Sequence, residues 1–429
     1  MTERYDVLVV GAGPAGLAAA GAAAAHGARV GLLDAQPRAG GQVWRHDVRK
    51  PAPAEAREAI AALRGVTVLT QHSVVANEDG ALRVETPQGA ALLTYGALVL
   101  ATGARELLLP FPGWTLPGVS GAGGLQALAK QGWPVAGKRV VVAGSGPLLL
   151  ACAATLRAHG AKIVGIHEQA SADCVHAFAR QLVHWPARAA QALLLRAKLA
   201  GVPYRFGSIV RHAHGDEAVR MVEIENTQDT SCVDCDLLAV GYGLVPNVEL
   251  AQMLGCALDH AQTHPHVQVD ELLRTSVSAI FAAGEACAIG GLAVARIEGA
   301  MAGHMAAGSA HEARALLPER DRARRFGTLL AKHFALSPRV HALATPQTLI
   351  CRCEDVPLGA LDGYADARDA KLATRCGMGA CQGRICGTAL AELGRFPHGA
   401  GRPPLFPARL ATLAGLALSP SDDASRSPT

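Results

Sequence analysis

Aromatic side chains are scarce. Phe, Trp and Tyr together make 4% of the 429 residues, although half of the chain is apolar. A core of that size without large rings is filled by Ala, Gly, Val and Leu, which suit the tight helix-on-strand packing of α/β folds. No run of about 20 uninterrupted apolar residues occurs, so no membrane-spanning helix is expected. The Ala-rich stretch Leu17 to Ala25 is too short to span and reads as a buried helix. The chain enters a strand at Tyr5 to Val10 without a basic region and an apolar segment before it. No secretory signal is therefore expected, and the cytoplasm is the expected compartment. A dominant charge is lacking too: the net charge of +4 is mild and scattered, which argues against a nucleic-acid partner. The run Glu319 to Arg325 mixes both signs and reads as a solvated helix face. Residues 35–75 hold no cysteine, although the chain has eleven.

Glycine marks the first motif. Val7 to Val10 is an apolar strand, followed by Gly11, Gly13 and Gly16 in Gly-x-Gly-x-x-Gly spacing with Pro14 and Ala15 inside the turn. A helix to about His26 and a strand ending at Asp34 complete the unit. The glycines permit a tight turn, backbone approach to a pyrophosphate and close helix–strand packing. The helix N-terminus favours the anion, and Asp34 stands where a carboxylate accepts ribose hydrogen bonds.

A near-copy follows. The strand Arg139 to Ala143 leads into Gly144-Ser145-Gly146-Pro147-Leu148-Leu149, then a helix to about His159 and a strand ending near Glu168. The chain thus carries two Rossmann units. Leu149 replaces the third glycine of the second, so that unit reads either as a nucleotide site or as a scaffold that has lost its ligand. If it binds a nicotinamide dinucleotide through Gly144, Gly146 and Glu168, the acid disfavours a 2′-phosphate and NAD is expected rather than NADP.

The other conspicuous pattern is thiol. Without a secretory signal, clustered cysteines imply reduced, cofactor-ligating thiols rather than disulfides. Five of them crowd the last fifth of the chain: Cys351, Cys353, Cys376, Cys381 and Cys386. A four-thiolate centre takes the Cys351/Cys353 pair and two of the remaining three. Four thiolates also suit a structural zinc, but a redox fold in the same chain favours iron. Arg352, Arg375 and Arg384 stand close in sequence, where they offset thiolate charge or are simply solvated.

Two further segments complete a pattern. Ala97 to Ala104 is an apolar strand closing on Thr102 and Gly103, and Ile280 to Glu285 ends on Gly284 and Glu285. With Gly40-Gly41-Gln42 and the stretch Gly241 to Leu250, the order resembles the two-dinucleotide-binding-domain flavoproteins, the superfamily of thioredoxin and ferredoxin reductases. The resemblance implies FAD held by the Asp34 unit, with Gly41, Gln42, Thr102, Gly103, Gly284 and Glu285 around it. It also implies a nicotinamide-type domain inserted into the FAD domain. Disulfide reductases of that superfamily keep a redox cysteine pair at the flavin. Here the stretch after the first Rossmann unit lacks one, and Cys232-Val233-Asp234-Cys235 reads as strand, on which residues three apart face opposite ways. Cys287 is the isolated cysteine placed to approach the flavin. Trp44 and His46 are candidates to face its ring or to pack.

The cysteine module resembles the bacterioferritin-associated-ferredoxin (BFD-like) type of [2Fe–2S] domain fused to flavoproteins. That resemblance implies Cys351, Cys353, Cys381 and Cys386 as ligands, with Cys376 a nearby spare. The whole chain resembles the α-type subunits of bacterial heteromeric amine dehydrogenases, a family that takes in opine oxidases, D-hydroxyproline dehydrogenase and hydrogen cyanide synthase. The implied partners are a β chain, itself a flavoprotein like glycine or D-amino-acid oxidase, and in some complexes a small ferredoxin-like γ chain. The implied acceptor is external, such as a quinone, which would bring the protein to the inner membrane surface only peripherally. The expected organisation is an FAD domain in 1–135 and 261–325, an inserted domain in 136–260, a linker in 326–345, the iron–sulfur module in 346–400 and a partly disordered tail in 401–429. Two other readings remain: a self-contained NADH-dependent reductase of a protein acceptor, and a second Rossmann unit holding a nucleotide such as ATP as a structural element.

Overall fold

The computed structural model describes residues 2–78, 80–226, 229–399 and 403–414. The opening strand Thr2–Val10 lies inside its sheet because Val7, Leu8 and Val9 are apolar on both faces, and all three are buried. A parallel strand covered by helices on both sides needs that pattern. Among the described residues the sheet has seven strands. Its order is Val66–Thr70, Val30–Asp34, Thr2–Val10, Gly89–Leu100, Ala81–Thr86 and Ser73–Glu78, with Ile280–Ala282 also paired to Gly89–Leu100. The strands either side of Thr2–Val10 run parallel to it, and the last three form an antiparallel meander.

The chain leaves this sheet after Leu100 and returns at Ile280–Ala282, where Ile280 pairs with Leu98 and Ala282 with Leu100. Between them lies a second parallel sheet, in the order Tyr204–Phe206, Lys162–Glu168, Arg139–Gly144, Leu237–Gly241 and Val119–Gly121. A small antiparallel sheet of Ile209–His214, Met221–Glu225 and Thr230–Asp234 joins it. This is the inserted two-Rossmann architecture expected from the sequence.

Small residues do the packing. The helix Pro14–Ala24 lies against Gly291–Ala306. A Cβ on Gly299 would stand 2.1 Å from the Ala15 carbonyl oxygen, and one on Gly303 would stand 2.2 Å from that of Ala19. The two backbones therefore touch, and no larger residue fits.

The stretch read as a linker holds the carboxyl half of helix Leu317–His333, whose Leu329 packs with Phe178 and Leu182. The cysteine module follows as strands Leu349–Cys351 and Val356–Pro357 and helices Ala367–Thr374 and Cys386–Glu392. It shares a core with the inserted domain, where Phe111, Val222, Ile350, Leu361 and Cys386 belong to one apolar cluster. The Trp114 indole N–H donates to the Leu349 carbonyl at 2.7 Å. The end of the described chain lies on the meander: the Leu405 amide donates to the Val75 carbonyl at 2.7 Å, and the Thr412 hydroxyl donates to Glu85 at 2.8 Å. The Ser/Asp/Pro-rich tail from Ser419 lies outside the described residues. Among those described, no helix is long and apolar enough to cross a membrane.

Candidate functional site

The first cradle is built by backbone. Gly11 sits at φ +104°, and a Cβ there would stand 2.3 Å from the Ala101 carbonyl oxygen. Only glycine lets the strands ending at Val10 and Leu100 meet the turn this closely. The helix Pro14–Ala24 starts at Gly13 with no side-chain cap, so its positive end is available to an anion. Asp34 accepts from the Ala12 amide at 2.7 Å and the Gln36 amide at 2.8 Å, which fixes its carboxylate at the mouth of the turn. Gly41 takes φ +59°, and its Cβ would lie 2.8 Å from the Gly13 Cα, so this loop passes directly over the glycine turn. Gln42 is exposed and accepts from Arg45 at 2.6 Å. Trp44 is buried in the core with Ala12 and Ala15, whereas His46 is exposed.

The far wall comes from distant sequence. Thr102 donates its hydroxyl to the Asn247 carbonyl at 2.6 Å, and the Asn247 amide donates to the Thr102 carbonyl at 3.0 Å. Gly284, at φ +74°, donates its amide to Glu298 at 3.0 Å. Glu298 is fully buried and pairs with Arg324 at 2.6 Å. Burial raises the Glu298 carboxyl above its usual range against the opposing pull of Arg324. Burial likewise raises the adjoining Glu285, opposed by a hydrogen bond from the Gly291 amide. Sequence reasoning missed Glu298 and Arg324, because a Glu inside an Ala/Gly helix carries no motif. The uncapped helix end, the glycine-only turn and the anchored Asp34 fit an FAD pyrophosphate and ribose, which these residues would hold.

The second glycine turn has the same plan with one difference. Glu168 accepts from the Gly146 amide at 2.7 Å and the Ala170 amide at 2.9 Å, much as Asp34 does in the first. Glu168, however, is wholly buried, and desolvation pushes its carboxyl up to about 7 although neighbouring amides oppose the shift. The segment 334–337 runs across the turn. Ser145 donates to the Phe334 carbonyl at 2.8 Å, and the Gln169 side chain donates to the Ala335 carbonyl at 2.9 Å and accepts from the Ser337 amide at 3.1 Å. A Cβ on Gly146, at φ +90°, would meet the Phe334 ring at 3.7 Å. Leu149, in place of the third glycine, is buried in the helix–sheet core.

All five clustered cysteines are gathered. The sulfurs of Cys351, Cys376 and Cys386 lie within 4.8 Å of one another and are buried. Cys353 and Cys381 lie within hydrogen-bonding reach of each other beside them; Cys353 is exposed and Cys381 half-buried. Cys376, expected from the family resemblance to be a spare, thus shares the buried group with Cys351 and Cys386. Left-handed backbone at Arg375, Gly377, Gln382 and Gly383 curls the loop around the sulfurs. A Cβ on Gly379 would stand 2.1 Å from the Cys353 Cβ, so the loop closes on that thiol only with glycine. Three buried thiols within reach of one another, with Cys353 and Cys381 beside them and a loop bent by glycines between, fit a four-thiolate centre. The remaining cysteines are dispersed: Cys287 is buried, Cys232 is exposed on the strand Thr230–Asp234, and Cys235 is buried just beyond the end of that strand, a correction to the reading that placed both on it.

Arg105 connects the two regions. Its guanidinium donates to the Asn247 side chain at 2.9 Å and to Thr388, on the helix that begins at Cys386, at 3.1 Å. It also pairs with Glu249 at 2.8 Å. A cleft of about 950 Å³ opens beside it, walled by Arg105, Arg384, Cys376 and Cys386.

Comparison with known proteins agrees with this geometry. Residues 5–312 match the pyridine nucleotide-disulphide oxidoreductase family model. The chain is 34% identical to one of the subunits of opine oxidase from Rhizobium meliloti, over 96% of this chain and 99% of that protein. It is 32% identical to the HcnB subunit of hydrogen cyanide synthase from Pseudomonas aeruginosa, covering 88% of this chain and 90% of that one. In fold it is similar to L-proline dehydrogenase from P. horikoshii, with a TM-score of 0.68 at 19% identity, covering 96% of this chain and 80% of that one. The chain belongs to the pyridine nucleotide-disulphide oxidoreductase family and is an FAD-dependent oxidoreductase.

Proposed function

We propose that this chain is the electron-transfer subunit of a heteromeric amine or imino-acid dehydrogenase of the opine or D-hydroxyproline type. FAD would be held by Gly11, Gly13, Pro14, Ala15, Gly16, Asp34, Gly41, Gln42, Thr102, Gly103, Gly284 and Glu285. A [2Fe–2S] cluster would be held by Cys351, Cys353, Cys381 and Cys386. The two groups supply electron storage, in pairs on the flavin and singly on the cluster. The protein's own part is to seat them, exclude water and fix their spacing. The amine is oxidised on a partner flavoprotein of the glycine/D-amino-acid-oxidase kind, and a small ferredoxin-like protein fits as a third component. An external acceptor takes the electrons.

One observation carries the reading: a thiol site whose buried sulfurs belong to the core of the inserted domain is tied through Arg105 to the loop at Thr102. Two others support it. The described residues place no cysteine pair at the flavin cradle, which argues against disulfide reduction. The segment 334–337 lies over the second glycine turn and is bonded there at both Ser145 and Gln169, which argues against NADH as the donor through Gly144, Gly146 and Glu168. The decisive experiment is co-expression with a glycine-oxidase-like partner and purification of the complex. Amine-dependent dye reduction with opines, hydroxyproline or proline is expected. Rapid anaerobic bleaching of the flavin band by NADH alone would instead make the chain a self-contained reductase.

A further inference from the structure

The three-stranded sheet of the inserted domain carries a cluster that no part of the electron-transfer reading uses. His212 and His214 are two apart on the strand Ile209–His214, so they leave the same face. Glu223, on the neighbouring antiparallel strand, is the direct register partner of His212. Cys232 is in turn the direct partner of Glu223 on the third strand, and it is exposed. The other face of the sheet is apolar: Val210, Ala213, Val222 and Ile224 lie in the core.

The two imidazole rings stack with centroids 3.9 Å apart and planes 23° from parallel. The His214 Nε2 lies 3.5 Å from a Glu223 carboxylate oxygen. One ligand atom from each of the three residues falls within 4.8 Å of the others. Two stacked imidazoles repel when both are charged, and stacking alone does not explain why both meet one carboxylate.

We propose that His212, His214 and Glu223 form a binding site for a divalent transition cation of the zinc type. Two imidazoles and one carboxylate are a donor set for Zn²⁺, with the fourth position open to water. The partly exposed carboxylate and rings leave an entry path from solvent. A cation there would pin two strands of a sheet whose reverse face packs into the core shared with the cysteine module.

The test uses the full chain with its flavin and iron–sulfur groups in place, dialysed to equilibrium against Zn²⁺. Zinc per chain is measured by mass spectrometry and cluster integrity by visible absorption. One zinc equivalent is expected in the wild type. In the His212→Gln/His214→Gln double variant that equivalent is lost while the flavin and cluster absorbances stay unchanged. Glu223→Gln weakens binding by about tenfold or more. Equal zinc uptake by the wild type and the double histidine variant would overturn the proposal.

Discussion

Arg105 donates a hydrogen bond to the hydroxyl of Thr388 at 3.1 Å across a separation of 283 residues. It joins the loop around Thr102 and Asn247 to the helix that starts at Cys386. The same guanidinium holds Asn247, which is bonded both ways to Thr102. A continuous set of polar contacts therefore runs from the loop at Thr102 to the helix that begins at the thiol site.

Arg105→Ala should leave Glu249 and Asn247 without their donor in a largely buried place. The expected cost is on the order of 2 kcal/mol, read as a lower thermal midpoint. Arg105→Lys should recover the ion pair with Glu249 but not the forked contact to Thr388. Its stability should fall between those of the wild type and Arg105→Ala, while electron transfer between flavin and cluster slows.

Serine at each of Cys351, Cys353, Cys381 and Cys386 should abolish the long-wavelength visible band and the low-temperature EPR signal of the reduced protein. Cys376→Ser should retain both. A bleached Cys376→Ser beside an intact Cys353→Ser would reassign the ligands to the buried trio and Cys381.

Glu168 ties folding stability to pH. Its folded carboxyl titrates at about 7 against 4.5 when unfolded, chiefly because burial removes it from water. The raised value means the folded state keeps the proton through that window. The contribution is therefore complete below about 4.5 and is lost as pH rises through about 7, on the order of 3 kcal/mol in all. Glu168→Gln should flatten this slope. Urea midpoints at pH 5 and pH 8 should differ less in the variant than in the wild type.

Gly303→Ala should drive a methyl into the backbone of the first helix, 2.2 Å from the Ala19 carbonyl oxygen. Overpacking of this kind costs about 1–3 kcal/mol. Because the displaced helix carries the pyrophosphate end, the variant should also release FAD more readily, seen as a lower flavin-to-protein absorbance ratio after gel filtration.

Much of this molecule is local in origin. Gly11 and Gly144 announce their turns because a residue at positive φ between a strand and a helix must be glycine, and the acids at Asp34 and Glu168 close each unit within about two dozen residues. The cysteines stand in one short module, so their convergence was legible before any coordinate. Strand alternation accounted less well for the Cys232/Cys235 pair, because the strand ends at Asp234 and Cys235 is buried beyond it.

What the chain order could not convey are relations between segments far apart. Glu298 and Arg324 look like ordinary helix-surface charges until the Gly284 loop is folded onto one and a second helix brings the other. Phe334 to Ser337 look like a connector until they lie across Gly146. Cys376 looks dispensable until the loop places its sulfur beside those of Cys351 and Cys386, and His212, His214 and Glu223 share a site only through strand register. The sequence by itself determined the two nucleotide-type turns and the thiol-rich module, because each depends on backbone conformation over a few residues, whereas the insertion was implied by family resemblance and rests on the distant pairing of Ile280 with Leu98. Only the tertiary structure decided which turn stays open, which sulfurs are sealed from water and which guanidinium bridges them, because those outcomes depend on burial and contact between parts of the chain that share no local signal.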